Sequence, residues 1–170
     1  MQIGKPIKYS LAYPNGGTDP TAPGPADPAT MQCDCIGFAA WADGWDRYQP
    51  GKFPLYDGYI NTDSMLDEAL GPGRWFSILQ APEIGCFIVG RSFKRLGRNI
   101  VGHIGVIEDV SGYTPALGLT SLGVVHCSPY NYQFTAGASA VWKTSAAIWH
   151  GYPTLHFVKF NREYAIKSHA

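Results

Sequence analysis

Apolar side chains recur at helical spacing soon after residue 34. The apolar positions are Phe38, Trp41, Ala42 and Trp45. Because Asp34 stands where an N-cap belongs, the pattern predicts a buried helix that opens at Cys35. Residues 46–61 are typical of a loop. A second short helix is predicted over residues 64–70, where a Gly-Pro pair beginning at Gly71 ends it.

The pattern changes to short β segments from residue 84 onward. Each segment is rich in β-branched or aromatic residues, and Gly, Pro, Asn or Ser separates it from the next. The segments cover residues 84–89, 101–110, 123–127, 139–142 and 155–160. Helices followed by a run of strands predict an α+β fold, with N-terminal helices packed on a mainly antiparallel sheet of about five strands.

The length of 170 residues suits one domain, and we expect residues 1–170 to form a single catalytic domain. Residues 14–30 are rich in Pro and Gly and therefore predict a surface loop, since neither a helix nor a central strand accepts so many prolines. Too little chain precedes this loop to fold alone, so it is not a domain linker. Residues 161–170 are predicted to be a short tail.

Charge excludes several classes of partner. Thirteen basic residues balance thirteen acidic ones, so nothing predicts attraction to nucleic acid or to an acidic membrane. A basic cluster at Arg91, Lys94, Arg95 and Arg98 is typical of a solvated loop. The chain has no run of about 18 apolar residues, so no membrane span is expected. No Gly-rich phosphate loop follows a strand, and we expect no cofactor.

Cys35 is the strongest candidate for chemistry. A thiolate attacks carbonyls far better than a thiol does, so a nucleophilic cysteine needs a lowered pKa. The unpaired N–H groups at a helix start favour negative charge, which is where Cys35 is predicted. The alternative is that Cys35 is a small buried apolar residue, the commonest role of a free cysteine.

Two histidines can supply the base. His103 lies in a predicted strand, with Gly102 and Gly105 beside it, and glycines inside a strand indicate that something approaches closely. His126 lies in the next predicted strand. If the two strands form an antiparallel hairpin, His103 falls roughly opposite His126. Together with Cys35 they predict a Cys/His/polar triad, although a histidine in an apolar strand is more often a hydrogen-bonded core residue.

Five motifs resemble those of NlpC/P60 cysteine peptidases, in the same order along the chain. Residues 34–38 (DCIGF) resemble the Asp-Cys-Ser-Gly-Phe motif, and residues 102–106 (GHIGV) resemble the Gly-His-Val-Gly strand. Residues 125–128 (VHCS) resemble the segment with the third polar residue, and residues 81–87 (APEIGCF) resemble Pro-Gly-Asp-Leu-Val-Phe. A tyrosine before Gly16-Gly17 is similar to the family's Tyr-x-x-Gly-Gly motif.

The resemblance implies a papain-like fold and hydrolysis of an amide bond in bacterial cell-wall peptides, usually between D-glutamate and a diamino acid. It assigns catalysis to Cys35, His103 and His126. Substrate contacts fall to Tyr9, Tyr13, Asp34 and Gly102, and Tyr9 is the first choice for the tyrosine beside the nucleophile. The N-terminal residues lack the apolar stretch of a secretory signal, so we expect a cytoplasmic or phage-associated protein that acts on the cell wall.

Four alternatives remain open. Cys33, Cys35, His126 and Cys127 offer zinc ligands, but their spacing fits a structural zinc site poorly, so no metal is expected. Cys33 can form a disulfide with Cys127 or Cys86. A non-catalytic binding module on the same scaffold is the third alternative. Acyl transfer to an amine or a lipid is the fourth.

Overall fold

The computed structural model describes residues 8–9 and 32–167. The predicted loop over residues 14–30 and the candidate Tyr13 lie outside these residues. The elements, in chain order, are β1 (Lys8–Tyr9), β2 (Gln32–Cys33), α1 (Cys35–Asp43), α2 (Thr62–Leu70), β3 (Phe76–Leu79), β4 (Phe87–Gly90), β5 (Phe93–Arg95), β6 (Arg98–Ile100), β7 (His103–Asp109), β8 (Gly123–Cys127), α3 (Pro129–Phe134), β9 (Val141–Ser145), β10 (Leu155–Phe160) and α4 (Arg162–Lys167). Short 3-10 turns lie at Tyr56–Gly58, Gly118–Ser121 and Ala146–Gly151.

Six strands form the main sheet in the order β3-β10-β4-β7-β8-β9, and every neighbouring pair is antiparallel. The α+β class and the mainly antiparallel sheet are therefore confirmed. The expected count of about five strands is one short, because β3 was not predicted. That strand has only four residues, and its pairing with β10 depends on chain that is distant in sequence.

Local signals set both predicted helices. Asp34 caps α1 by accepting the N–H of Gly37 at 2.7 Å, and Gly44 ends the helix in the left-handed conformation at φ 73°. The prediction that this helix opens at Cys35 is confirmed. Helix α2 begins two residues earlier than predicted, because Asn61 and Ser64 form a capping box at its start.

Three segments differ from the sequence predictions. The basic cluster is not a plain loop, because β5 and β6 pair as a hairpin through Leu96 and Gly97, both at positive φ. The predicted tail contains α4. Helix α3 was also missed; Ser128 caps it and Pro129 stands at its first position, a start signal that is clear only once the preceding strand is known.

The main sheet separates two apolar clusters. Helix α1 packs on β7 and β8, where Ile104, Val106 and Val125 face it; we call this side the helix face. On the opposite side, Ile107 and Val124 pack against Trp149, and we call this side the Trp149 face. Among the described residues, no helix is long and apolar enough to cross a bilayer.

Candidate active site

Cys35 occupies the first position of α1 and is 6% exposed. Two backbone N–H groups lie near its sulfur, those of Ile36 in the first turn of the helix and of Ile104 in β7, and both act to lower the pKa of the thiol. The second of these contacts ties the thiol to the residue directly after His103. The helix start and the beginning of β7 are thereby joined at one point.

The thiol lies where β7 and β8 separate. Pairing between these strands ends at Val106 with Val125. Ile107 directs its N–H and its C=O toward the β4 side, so alternation along an antiparallel strand directs the N–H of Ile104 toward β8. No residue of β8 is paired with Ile104, and the sulfur of Cys35 lies near that N–H. Because backbone N–H groups lie in the plane of the sheet, the thiol is not confined to the helix face.

His103 and His126 lie together on the Trp149 face. The Nε2 atom of His103 is 2.8 Å from Nδ1 of His126. Trp149 stacks on the His103 ring at a centroid distance of 5.1 Å and meets the His126 ring edge-on at 5.2 Å. The indole therefore holds both imidazoles in place and excludes water from one side of the pair.

The register differs from the sequence prediction by two residues. Continuing the pairing of Val106 with Val125 places Gly105, and not His103, opposite His126. A shift of two residues keeps side chains on the same face of a sheet. The two histidines consequently still meet, along a diagonal and across the space that Gly105 leaves open.

Hydrogen bonds extend the histidine pair to Thr144, which sequence reasoning missed. The hydroxyl of Thr144 donates to Ser145 O at 3.1 Å, so its oxygen is an acceptor for Nε2–H of His126 at 3.0 Å. The Nδ1 atom of His126 is then unprotonated and accepts from Nε2–H of His103. This series leaves Nδ1 of His103 without a proton, which is the form that a general base requires.

Asn131 supports the same tautomers. Its Nδ2 atom donates to His126 O at 2.9 Å and to Ala140 O at 3.2 Å. Both amide hydrogens are used by these carbonyls, so none is left for His126 Nε2 at 3.4 Å. Asn131 is buried and fixes the backbone of His126. No motif in the sequence singles out Asn131 or Thr144, since each becomes adjacent to His126 only through folding.

Burial keeps both reacting groups neutral in the free protein. Removal from water raises the pKa of Cys35 to about 12, and the Asp34 carboxylate adds to this effect. Removal from water also lowers the pKa of His103 to about 4. The expectation that the helix start lowers the Cys35 pKa is therefore wrong for the free protein. A helix N-terminus favours an anion by about 1 kcal/mol, which is too little to offset the burial of an unpaired charge.

No hydrogen bond joins the Cys35 thiol to His103 among the described residues. Cys35 lies near the backbone of Ile104, whereas His103 is bonded to His126. Catalytic hydrogen bonds are often long in the absence of substrate and tighten when it binds. The structure thus joins the two histidines directly and brings the cysteine to the neighbouring residue.

Tyr9 lies beside Cys35. Strand β1 pairs in parallel with β2, which places Tyr9 next to Cys33, two residues before Cys35. Burial raises the pKa of the Tyr9 phenol well above its ordinary value, and the Cys35 thiolate form would raise it further. The hydroxyl consequently stays protonated and can donate a hydrogen bond near the thiol.

Asp34 serves the helix and not the open site. One oxygen accepts the N–H of Gly37, and the other pairs with Arg47 Nη1 at 2.8 Å. The side chain is 4% exposed. Both oxygens are occupied by protein groups, so the expected substrate contact of Asp34 is replaced by capping and by an ion pair behind the nucleophile.

Protein groups also fill the space beside the two glycines. A Cβ at Gly102 would lie 2.0 Å from Thr62 Oγ1, so the absence of a side chain lets the start of α2 approach β7. A Cβ at Gly105 would lie 2.4 Å from Val124 Cγ1 and 2.9 Å from the Trp149 ring. Close approach at these glycines was correctly predicted, but the group that approaches Gly102 is Thr62 and not a substrate.

The remaining cysteines are free thiols. Cys33 Sγ donates to Cys127 Sγ at 3.0 Å, and Cys127 Sγ donates to Cys33 O at 3.3 Å, both on the helix face. Cys86 lies in the cluster on the Trp149 face, remote from Cys33. Within residues 8–9 and 32–167, no three His, Cys, Asp or Glu side chains are grouped to hold a metal ion.

Comparison with protein-family models, with curated proteins and with solved structures gives no match for this chain. The site itself is therefore the basis for a functional assignment. Its features are a buried thiol at a helix start, a hydrogen-bonded histidine pair in which Nδ1 of His103 is unprotonated, and a neutral phenol beside the thiol.

Proposed function

We propose that the chain is a cysteine hydrolase that cuts an amide bond in bacterial cell-wall peptides, with Cys35 as nucleophile and His103 as base. The observation that carries the proposal is the hydrogen-bonded series from Thr144 through His126 to His103, since the residue after His103, Ile104, has its backbone N–H near the Cys35 thiol. A histidine held only for packing needs no such series. The series sets the tautomer in which His103 Nδ1 can accept a proton.

Proton transfer and attack occur together in this mechanism. As the substrate enters, His103 takes the proton of Cys35 and the sulfur attacks the scissile carbonyl. The N–H of Cys35, which has no partner within the helix, and the Tyr9 hydroxyl donate to the oxyanion. His103 then gives its proton to the leaving amine. A water molecule, activated by His103, hydrolyses the thioester and restores the thiol.

We also propose that the chain belongs to the NlpC/P60 class with its papain-like fold. Support comes from the order of the elements, in which a helix that begins with the cysteine precedes an antiparallel sheet whose neighbouring strands carry the two histidines. The proposed location follows the sequence expectation of a cytoplasmic or phage-associated protein whose substrate is the cell wall.

Digestion of purified cell-wall peptides tests the proposal. We expect the wild-type chain to release two fragments, measured by mass spectrometry. The sum of their masses should exceed the mass of the parent peptide by one water. The Cys35→Ala variant should lose more than about a thousandfold in rate, because no other group can form the thioester. Its thermal unfolding should resemble that of the wild type.

The matched control is Cys86→Ala, which removes a buried thiol on the Trp149 face at a distance from the site. Its rate should stay close to that of the wild type. Retained hydrolysis by Cys35→Ala would show that another group is the nucleophile and would end the proposal. Equal losses in both variants would also contradict it, since they would point to general damage to the fold.

A further inference from the structure

An open cavity of about 350 Å³ adjoins His103 at the beginning of β7. Its volume falls in the range of small-molecule sites. The cavity is lined by Tyr9, Val101, His103, Ser128, Pro129, Tyr130, Ile148 and Tyr152. No charged residue is among these described lining residues, which is unusual for a site expected to hold a peptide rich in carboxylates.

The polar atoms of the wall are largely engaged with protein. The Tyr152 hydroxyl donates to Val101 O at 3.0 Å, so its ring and not its oxygen faces the cavity. Ser128 Oγ accepts the N–H of Asn131 as the cap of α3. Pro129 has no N–H. What remains is an apolar wall with few points for a charged ligand to bind.

Apolar side chains are exposed at the rim. Val101 is 57% exposed, Ile148 is 46% exposed and Tyr130 is 76% exposed. Single exposed apolar residues are ordinary, but three around one cavity form a patch of the kind that binds a ligand. The buried ion pair between Asp34 and Arg47 is not part of the described cavity wall and offers no countercharge there.

Two tyrosines connect the cavity to the nucleophile. Tyr9 and Tyr152 both line it, and both lie close enough to Cys35 for a thiolate there to raise the pKa of their phenols. His103 lies in the wall as well. Whatever fills the cavity therefore contacts His103, the proposed base, and the two tyrosines that feel the charge of Cys35.

We propose that this cavity is the specificity pocket of the enzyme and that it receives an uncharged, apolar group of the substrate, aliphatic or aromatic. The proposal rests on the proposed function, because it takes Cys35 as the nucleophile. A carboxylate placed here would lose its water and find no cation, which disfavours it strongly. The free carboxylates of D-glutamate and of a diamino acid are thus poor occupants, whereas a methyl, alkyl or acyl group fits.

Three thiol-directed probes of equal length test the charge preference. They are N-hexyl, N-(5-carboxypentyl) and N-(5-aminopentyl) chloroacetamide. In each reaction the Cys35 sulfur displaces chloride, a C–S bond forms, and His103 takes the thiol proton. The rate of Cys35 alkylation is followed by intact mass and peptide mapping, and each rate is divided by that of free glutathione with the same probe.

We expect the hexyl probe to react about tenfold faster than either charged probe, the gain from burying one or two methylene groups. The Ile148→Asp variant places a carboxylate at the rim, which attracts an ammonium group, and should reduce the ratio of the hexyl rate to the aminopentyl rate to below about threefold. The control Ile84→Asp alters a residue of similar character, 69% exposed and located before β4, toward the other end of β7. It should keep the wild-type ratio.

The outcomes separate the two proposals. Equal relative rates for the three probes in the wild type would overturn the apolar pocket, while a loss of all alkylation in His103→Gln would still support Cys35 and His103 as the reacting pair. An unchanged hexyl rate in His103→Gln would overturn the proposed function. A ratio of hexyl to aminopentyl rates that stays near tenfold in Ile148→Asp would place the preference elsewhere and contradict the assignment of this cavity.

Discussion

The two faces of β7 carry different chemistry. The helix face holds sulfur: Cys33 and Cys127 pack beneath α1, and Cys35 begins that helix. The Trp149 face carries the two histidines, His103 and His126, whose rings lie against the indole. Each face is buried by its own apolar residues, so the sheet separates the helix that begins with Cys35 from the two histidines.

This difference shows why the site must lie at the end of a strand. Where β7 and β8 are paired, a continuous ladder prevents groups on one face from reaching groups on the other. The ladder ends at Val106 with Val125, and beyond that point the sulfur of Cys35 lies near the N–H of Ile104. Only here can a thiol from the helix face meet an imidazole from the Trp149 face.

The largest effect after loss of the nucleophile is expected from His103→Gln. Glutamine keeps a polar side chain of similar size but cannot accept a proton, so Cys35 alkylation and hydrolysis should fall by about a hundredfold to ten-thousandfold. Because burial lowers the His103 pKa to about 4, the wild-type rate should be nearly the same at pH 5.5 and pH 7.5. An ordinary histidine would lose about tenfold over that interval.

Stability gives an independent check on the same histidine. The unfolded chain takes up a proton below about pH 6.5, whereas folded His103 does so only near pH 4, so stability should decrease as the pH falls through this window. The melting temperature of His103→Gln should decrease less. His156→Gln, in β10, is the control and should keep both the rate and the pH dependence of the wild type. A wild-type rate that drops with an apparent pKa near 6.5 would contradict the buried neutral base.

A smaller effect is expected from loss of His126. His126→Ala removes the acceptor that sets the His103 tautomer, and the rate should fall by about tenfold to a hundredfold, since an orienting group contributes less than the base. His126→Gln retains an acceptor oxygen and should recover part of the rate. The measurement is the kcat and KM of peptide hydrolysis, in which kcat should change and KM should not. Equal losses in the two variants would show that His126 only fills space.

Local sequence signals were enough to place Cys35, the first residue of the candidate site along α1. Asp34 and Gly44 mark the two ends of α1, and these short-range rules place Cys35 at the first helical position without knowledge of the rest of the fold. The content of β-branched residues, with turn-forming residues between the segments, likewise predicts β7 and β8. The face shared by the two histidines follows from the strand period of two, which is why a register error of two residues did no harm.

Long-range features could not be predicted in this way. The contact of Thr144 with His126 depends on the pairing of β8 with β9, and the contact of Cys35 with Ile104 depends on where β7 and β8 separate. The direction of the Cys35 pKa change depends on burial, which is set by the packing of α1 on the sheet. Propensity and spacing carry no information on any of these three.

The smallest effect on rate is expected from the thiol pair of the helix face. Cys127 follows His126 directly but points away from it, into the cluster with Cys33. Cys127→Ala should therefore lower the free energy of unfolding by about 1 kcal/mol, as expected for a small loss of core packing, and change the alkylation rate of Cys35 by less than about threefold. Urea unfolding and the N-hexyl probe measure the two quantities, with Cys86→Ala as the matched buried thiol on the other face. A loss of rate comparable to that of His126→Ala, without a matching loss in Cys86→Ala, would show that the two faces are coupled through the backbone of β8 and that the sheet does not separate them.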